Sequence, residues 1–292
     1  MKPSLVGLLL FPAALCGALV GAAEKAPSYP PHTIGNSELR VLPANAAGRH
    51  YQLSIGLPAS YAKETSRRYP VVYVTDGYWD FQKLDAIRGS LVFDKVVPEF
   101  IIVGLGYAGE NLDHGDLRRW ELSPVPFGDG PGSGHAADFL ATIETEIIPF
   151  VEREYRADPA HRVLGGASLG GLFTLYAMYT KPTLFSAWMA VTPAVAVGDG
   201  WLLGYEQKFA QSGGELKGRL FASMGENENP GFISAILHYN ARVTSRKYPQ
   251  LAYQFRIIDG ERHAGMQLES YTRGLRFVLA PLAPEQGPGT FP

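Results

Sequence analysis

The chain has 292 residues, of which 46% are hydrophobic, 18% charged and 12% aromatic. This composition excludes a disordered or fibrous protein and is typical of one α/β domain with a sizeable core. The formal net charge of −2 excludes the basic balance of nucleic-acid-binding proteins and gives no reason to expect binding to an anionic membrane.

The N-terminus has the pattern of a secretory signal peptide. Lys2 precedes a nearly uncharged apolar run from Leu5 to Val20, and small residues before Glu24 offer a cleavage site. We expect residues 1–23 to be this signal peptide and the protein to be exported, either to the periplasm or out of the cell. The apolar run is short for a membrane span and contains Pro12, so we expect no integral span in the mature chain, and an uncleaved anchor is the alternative.

Cleavage there also removes the single cysteine, Cys16. The mature chain then has no disulfide and no thiol nucleophile. It retains 25 basic and 28 acidic residues, which is a net charge of −3.

After the signal peptide, residues 24–36 are rich in proline and small residues and predict an exposed lead-in. Residues 37–292 then alternate between predicted strands and helices. This alternation predicts a single α/β domain with a mainly parallel, twisted sheet covered by helices on both faces. The predicted strands are Glu38–Leu42, Tyr51–Leu57, Pro70–Thr75, Phe100–Leu105, a strand ending at Ala167, Trp188–Val191, Leu220–Met224 and Leu251–Ile258.

Helices are predicted over Tyr78–Phe93, Ile233–Val243 and Met266–Leu279, the second capped by Asn229 and Pro230. A further helix is predicted from a cap at Ser133 to about Tyr155, with a kink at Pro149. The polar, glycine- and proline-rich stretch 106–134 is predicted as one long connection, of the kind that covers a site.

Ser168 is the candidate nucleophile. It lies between Gly166 and Gly170 at G-x-S-x-G spacing, after an apolar strand and before an amphipathic segment. A nucleophile elbow needs this context, because the chain must turn sharply from strand to helix and expose the serine hydroxyl. The glycines let neighbouring backbone approach closely.

A serine hydroxyl needs a base, and the order Ser…acid…His selects His263 among the seven histidines. Five histidines precede the serine, and His238 lies in a predicted helix. Glu228, after an earlier strand, is our choice for the acid, with Glu226 as a rival. The Leu169 amide and the Tyr78 amide are the expected donors of the oxyanion hole.

Arg118 and Arg119 lie in the long connection. They are candidates to steer an anionic substrate, and pairing with Glu121 on the surface is the alternative. No metal site is predicted, because Asp113, His114 and Asp116 have no further ligand cluster beside them.

Several segments resemble landmarks of the putative esterase family of α/β-hydrolases, in the same order along the chain. They are Val71–Gly77, Arg119–Pro124, Glu146–Phe150, Gly165–Gly171 and Gly260–His263. The family includes trilactone esterases that open enterobactin and salmochelin, as well as feruloyl and acyl-ester hydrolases. The resemblance implies the α/β-hydrolase fold, with Ser168 and His263 as the core pair. Some trilactone esterases resemble a Ser-His dyad, which leaves the role of Glu228 open.

We therefore expect an exported serine esterase that needs no cofactor and acts through an acyl-enzyme, with a siderophore trilactone such as ferric enterobactin as the favoured substrate. A general acyl or feruloyl esterase, an acyltransferase on the same fold and a non-catalytic binding protein are the alternatives. The segment Thr192–Val197 departs from the family, where many relatives carry Ser-Pro followed by tryptophans. Because this segment is expected to border the pocket, the substrate can differ from that of the relatives.

Overall fold

The computed structural model describes residues 33–45, 48–128 and 132–284. From Gly35 onward these residues form one compact unit. The predicted signal peptide and all but the last residues of the predicted lead-in lie outside the described residues. None of the helices within the described ranges is long and apolar enough to cross a membrane.

An eight-stranded sheet forms the centre of the fold, in the order β1-β2-β4-β3-β5-β6-β7-β8. β2 runs antiparallel to both of its neighbours, β1 and β4. The other six strands run parallel to one another, in the sheet order β4, β3, β5, β6, β7 and β8. The prediction of a mainly parallel sheet is therefore confirmed. The strands are β1 (Ser37–Val41), β2 (Tyr51–Gly56), β3 (Tyr69–Val74), β4 (Ile101–Tyr107), β5 (Ala157–Ala167), β6 (Ala187–Val191), β7 (Lys217–Gly225) and β8 (Gln250–Ile258).

Helices connect these strands and cover both faces of the sheet, as parallel crossovers require. They are α1 (Gly77–Phe93), α2 (His114–Leu122), α3 (Ala136–Thr142), α4 (Ile148–Glu154), α5 (Leu169–Thr180), α6 (Val197–Gln211), α7 (Pro230–Arg246) and α8 (Gln267–Val278), followed by a 3₁₀ turn (Ala280–Leu282). The predicted cap of α7 is correct, because the Asn229 side chain accepts from the Gly231 amide and Pro230 starts the helix.

The centre of the sheet is buried on both faces, which explains its continuous apolar runs. All six residues of β3 are buried, and so are all five of β6. The helix α5 is enclosed as well, since all of its residues except Thr180 are buried. The start of α5 is therefore fixed by packing on every side, and this start follows directly from β5.

The stretch 106–134 is not one long connection, because it contains the helix α2. Asp113 caps this helix by accepting a hydrogen bond from the Asp116 amide at 2.9 Å. Most of the glycines and prolines that predicted a loop lie on either side of the helix, and Gly115 lies in its first turn. The local capping signal at Asp113 was present in the sequence and was missed.

The segment predicted as one kinked helix is built differently. A π-helical turn, Ile143–Ile147, separates α3 from α4, and Pro149 lies in the first turn of α4. Because proline has no amide hydrogen, it fits the start of a new helical turn better than a helix interior. The predicted cap is also wrong: His135 precedes α3, and the Ser133 hydroxyl accepts from the Phe127 amide at 2.8 Å.

The helix α6 was not predicted from the sequence. Its first turn contains Gly198, Asp199 and Gly200, all with positive φ. These residues break the regular helical backbone and obscure the start of the helix.

Two glycines of α1 provide a matched test of the packing. A Cβ on Gly77 would lie 2.7 Å from Leu105 N, whereas a Cβ on Gly89 would meet no atom within 4 Å. We expect Gly77→Ala to lower the free energy of unfolding by about 1–3 kcal/mol through overpacking. Gly89→Ala, in the exposed helix interior, should raise it by about 0.5–1 kcal/mol. Urea unfolding followed by tryptophan fluorescence measures both, and equal effects of the two variants would contradict the packing at Gly77.

Candidate active site

Ser168 lies in a sharp turn between β5 and α5. Its backbone has φ 59° and ψ −116°, a region that side-chain-bearing residues rarely adopt. The flanking glycines make this turn possible. A Cβ on Gly166 would lie 2.6 Å from the Gly170 carbonyl carbon, and a Cβ on Gly170 would overlap the hydroxyl of Thr75. The geometry is that of a nucleophile elbow.

The backbone of Ser168 is held by hydrogen bonds to two neighbouring segments. Its amide donates to the Val191 carbonyl at 3.0 Å, and its carbonyl accepts from the Leu172 and Ala194 amides at 3.0 and 2.9 Å. The Oγ atom has no hydrogen bond within the described ranges, to His263 or to any other group. The hydroxyl is therefore uncommitted, while the backbone that carries it is fixed.

His263 lies in the loop between β8 and α8, and its Nδ1 is 2.8 Å from Glu228 Oε2. Its side chain is 40% exposed, whereas that of Glu228 is 1% exposed. The ring of Phe232 meets the imidazole edge-on, with the ring centroids 5.2 Å apart. The imidazole is thus anchored on one nitrogen by a buried carboxylate.

The structure distinguishes the two candidate carboxylates by their contacts. Glu228 contacts His263, whereas Glu226 is exposed and accepts from the Gly260 amide at 2.9 Å. Burial alone would raise the pKa of Glu228, but hydrogen bonds from His263 and Thr192 outweigh it and hold that pKa below its ordinary value. The carboxyl beside His263 is therefore ionised at neutral pH.

The end of β6 links the serine to the histidine. Ser168 donates its amide to Val191, the last residue of β6, and the hydroxyl of the next residue, Thr192, lies 3.3 Å from His263 Nδ1. Both side chains therefore lie at the carboxyl edge of the parallel strands, where open α/β sheets bind their ligands.

Thr192 is a residue of this site that the sequence analysis did not single out. Its hydroxyl donates to Glu228 Oε1, and its backbone has φ 38°, which is unusual for a β-branched residue. The sequence signal was weak: the segment Thr192–Val197 was expected to border the pocket, but nothing in it indicated a contact with the acid.

The two predicted oxyanion donors lie at helix starts that face the same edge. Leu169 begins α5, and Tyr78 is the second residue of α1. The first amides of a helix have no partner inside it, and among the residues that the structure describes no backbone carbonyl outside these helices accepts from either amide. Thr75, which precedes the turn into α1, packs against both elbow glycines. The role of these two amides as oxyanion donors stays a prediction.

The predicted arginines both have partners within the chain. Arg118 binds the buried carboxylate of Asp76 with two hydrogen bonds of 2.9 Å. Burial alone would lower the pKa of Arg118, but this bidentate bond raises it. Arg119 pairs with Asp116 on the surface at 2.8 Å.

The alternative pairing with a surface Glu121 is wrong. Glu121 is buried, accepts from the Tyr51 hydroxyl at 2.6 Å and lies 3.4 Å from Arg49. It faces inward because α2, which the sequence analysis did not predict, turns it toward β2.

Metal ligands do not cluster here: in the described ranges, no three His, Cys, Asp or Glu side chains are placed to hold an ion.

Glu228 should stabilise the fold in a pH-dependent way. Its pKa is lower in the folded protein, so its contribution is present above the ordinary carboxyl range and is lost as pH falls through the folded pKa. We expect the difference in unfolding free energy between the wild type and Glu228→Gln to shrink between about pH 7 and pH 3. Urea unfolding at each pH measures it, with Glu226→Gln as the exposed control. A difference that stays constant over this range would contradict the ionised pair.

The comparisons with known proteins agree with this fold. The family model described as "Putative esterase" matches residues 44–224, a range that includes Ser168 and ends before Glu228 and His263. Ferri-bacillibactin esterase BesA of Bacillus subtilis is 27% identical over 274 residues, covering 88% of this chain and 94% of that protein. The siderophore triacetylfusarinine C esterase of Aspergillus fumigatus is 28% identical, covering 73% of this chain and 76% of that protein.

Among solved structures, the BES protein from Bacillus cereus superposes with a TM-score of 0.78 at 25% identity. The superposition covers 87% of this chain and 99% of that one. The fold is the α/β-hydrolase fold, as the sequence resemblance implied. Because the family model covers more than half of the chain, the protein belongs to the putative esterase family and is a carboxylic ester hydrolase.

Proposed function

We propose that the protein is an exported serine esterase that hydrolyses siderophore esters, with a trilactone as the favoured substrate. The observation that carries the mechanism is the anchoring of His263 Nδ1 by the buried Glu228, at the sheet edge that also carries the strained Ser168. The observation that carries the substrate class is the full-length similarity to a ferri-bacillibactin esterase.

The contact with Glu228 determines which nitrogen of His263 acts as the base. An ionised carboxylate can only accept a hydrogen bond, so the neutral imidazole carries its proton on Nδ1. The lone pair is then on Nε2. This is the tautomer that can take a proton from a serine hydroxyl.

Hydrolysis follows from these positions in two steps. Ser168 Oγ attacks the ester carbonyl while His263 Nε2 takes its proton, and the Leu169 and Tyr78 amides hold the developing oxyanion. The leaving alcohol takes the proton from His263, which leaves an acyl-enzyme. A water molecule then repeats the cycle and releases the acid. The chemistry needs no metal or organic cofactor.

The serine–histidine contact must tighten when substrate binds. Ser168 Oγ makes no hydrogen bond to His263 in the described structure, and free enzymes commonly show such loose catalytic contacts. The backbone of Ser168 is already fixed by Val191 and Ala194. The hydroxyl can still rotate, and the His263 side chain is 40% exposed.

Recognition of an anionic siderophore cannot depend on a free Arg118, because Asp76 occupies its guanidinium. Arg119 is paired with Asp116, whereas Arg262, which directly precedes His263, is exposed and is a candidate contact for an anionic substrate. Export is supported by the predicted signal peptide at residues 1–23 and agrees with a substrate that is met outside the cytoplasm.

The nucleophile is tested by removing its hydroxyl. Ser168→Ala should lower kcat on a small aryl ester by about 10⁴-fold or more, because no other group forms the acyl-enzyme. A fluorophosphonate probe should label the wild type at Ser168 and leave the variant unlabelled, as mass spectrometry of the peptides shows. Near-full activity of Ser168→Ala, or an absence of labelling in the wild type, would refute the serine mechanism.

The substrate is tested with the purified mature protein and ferric enterobactin. Chromatography should show linear and monomeric products, because each ester of the trilactone is open to the same attack. An intact macrocycle beside rapid cleavage of feruloyl or short acyl esters would assign the protein to the general esterases. An ester formed with an added alcohol would instead identify an acyltransferase, since both activities share the acyl-enzyme.

A further inference from the structure

We propose that Thr192 is a positioning residue for ester hydrolysis: its hydroxyl holds the Glu228 carboxylate in the plane that aims His263 Nε2 at Ser168. The inference rests on the serine mechanism proposed above. It assigns a role to the first residue after β6, which acts on the reaction through Glu228 and His263.

The two oxygens of Glu228 have separate partners. Oε2 accepts from His263 Nδ1 at 2.8 Å. Oε1 accepts from the Thr192 hydroxyl and has a long contact of 3.4 Å with the Gly225 amide. A carboxylate held at one oxygen can rotate about its terminal bond, whereas one held at both oxygens cannot. Thr192 therefore fixes the plane in which the imidazole is bound.

Burial makes this hydroxyl hard to replace. The Glu228 side chain is 1% exposed, so water has little access to Oε1. Without Thr192, that oxygen would keep only the long contact with Gly225. A buried charged acceptor that loses its partner pays the full cost of its desolvation.

Thr192 also constrains the tautomer of His263. Its Oγ1 lies 3.3 Å from Nδ1, and its hydrogen is donated to Glu228. The side of Oγ1 that faces the imidazole therefore presents a lone pair. Both neighbours of Nδ1 are then acceptors, which favours the proton on Nδ1 and leaves Nε2 free as the base.

The backbone of Thr192 indicates that its side chain is needed. Its φ of 38° is strained for a β-branched residue, whereas glycine adopts such a φ at no steric cost. The amide donates to the Ser223 carbonyl at 2.9 Å, and the following Pro193 packs against Gly171 on α5. A requirement for this backbone turn alone would not explain a threonine.

The charged groups around Glu228 lie on two loops. His263 faces it from the loop after β8, where the Glu261 carboxylate lies against Gly265. Glu226, on the loop after β7, is held by the Gly260 amide. From the β6 side the hydroxyl of Thr192 bonds the carboxylate. Removing that hydroxyl takes away a bond that lowers the pKa of Glu228. In the variant, the carboxylate therefore becomes protonated at a higher pH than in the wild type.

Thr192→Val is the direct test, because valine keeps the branching and approximate volume of threonine and replaces the hydroxyl with a methyl group. We expect kcat on an aryl ester at pH 8 to fall about 10- to 50-fold, as for loss of a hydrogen bond to a charged group, with KM within about three-fold of wild type. The deficit should grow as pH falls to 5, because the Glu228 carboxylate protonates earlier. Thr192→Ser keeps the hydroxyl and should stay within about five-fold of the wild-type kcat.

Two controls separate this role from a general effect of the substitution. Thr180→Val removes a hydroxyl that bonds the Tyr176 carbonyl on α5, away from the site, and should leave kcat unchanged. Glu228→Gln combined with Thr192→Val should lower kcat little more than Glu228→Gln alone, because both changes act through the contact between Glu228 and His263. If Thr192→Val lowers Tm strongly, the unbranched pair Thr192→Ala and Thr192→Ser gives the same comparison.

The outcomes separate this inference from the mechanism on which it rests. Near-wild-type kcat in Thr192→Val overturns the positioning role, and so does a deficit that is equal at pH 5 and pH 8 and additive with Glu228→Gln. In both cases an inactive Ser168→Ala leaves the serine mechanism intact. Full activity of Ser168→Ala overturns both proposals together.

Discussion

The strained backbone of Ser168 is the constraint on which the site depends. A conformation of this kind costs about 1–3 kcal/mol and persists only where the surrounding structure fixes it. Here β5 is paired on both sides, α5 is buried along nearly its whole length, and Val191 and Ala194 bond the serine backbone. The glycines on either side remove the Cβ atoms that would prevent this packing. The fold therefore stabilises a turn that the local sequence alone would not adopt.

A parallel sheet brings residues that are distant in sequence to one edge. Because β3, β5, β6, β7 and β8 all point the same way, the residues that follow them meet at their carboxyl ends. Each strand contributes one group there: in sheet order these are the Tyr78 amide, Ser168, Thr192, Glu228 and His263. A change in strand order would separate them even if every side chain were kept.

The turn between β3 and α1 shows how charge pairing supports the carboxyl edge of the sheet. Asp76 has a left-handed backbone and is buried, which is unfavourable for an isolated carboxylate. The two hydrogen bonds from Arg118 compensate the buried charge and tie α2 to the start of α1. The arginine that looked like a substrate contact in the sequence thus stabilises the turn that carries an expected oxyanion donor.

The sequence by itself determined the strands, their alternation with helices, the G-x-S-x-G turn and the order in which serine, acid and histidine follow each other. Those features depend on local patterns of apolar residues and glycines. Only the tertiary structure decided that Glu228 and not Glu226 contacts His263, that Arg118 binds Asp76, and that Thr192 holds the acid. The reason is physical: neighbouring loop residues have nearly the same local preferences, and contacts between segments far apart in the chain choose among them.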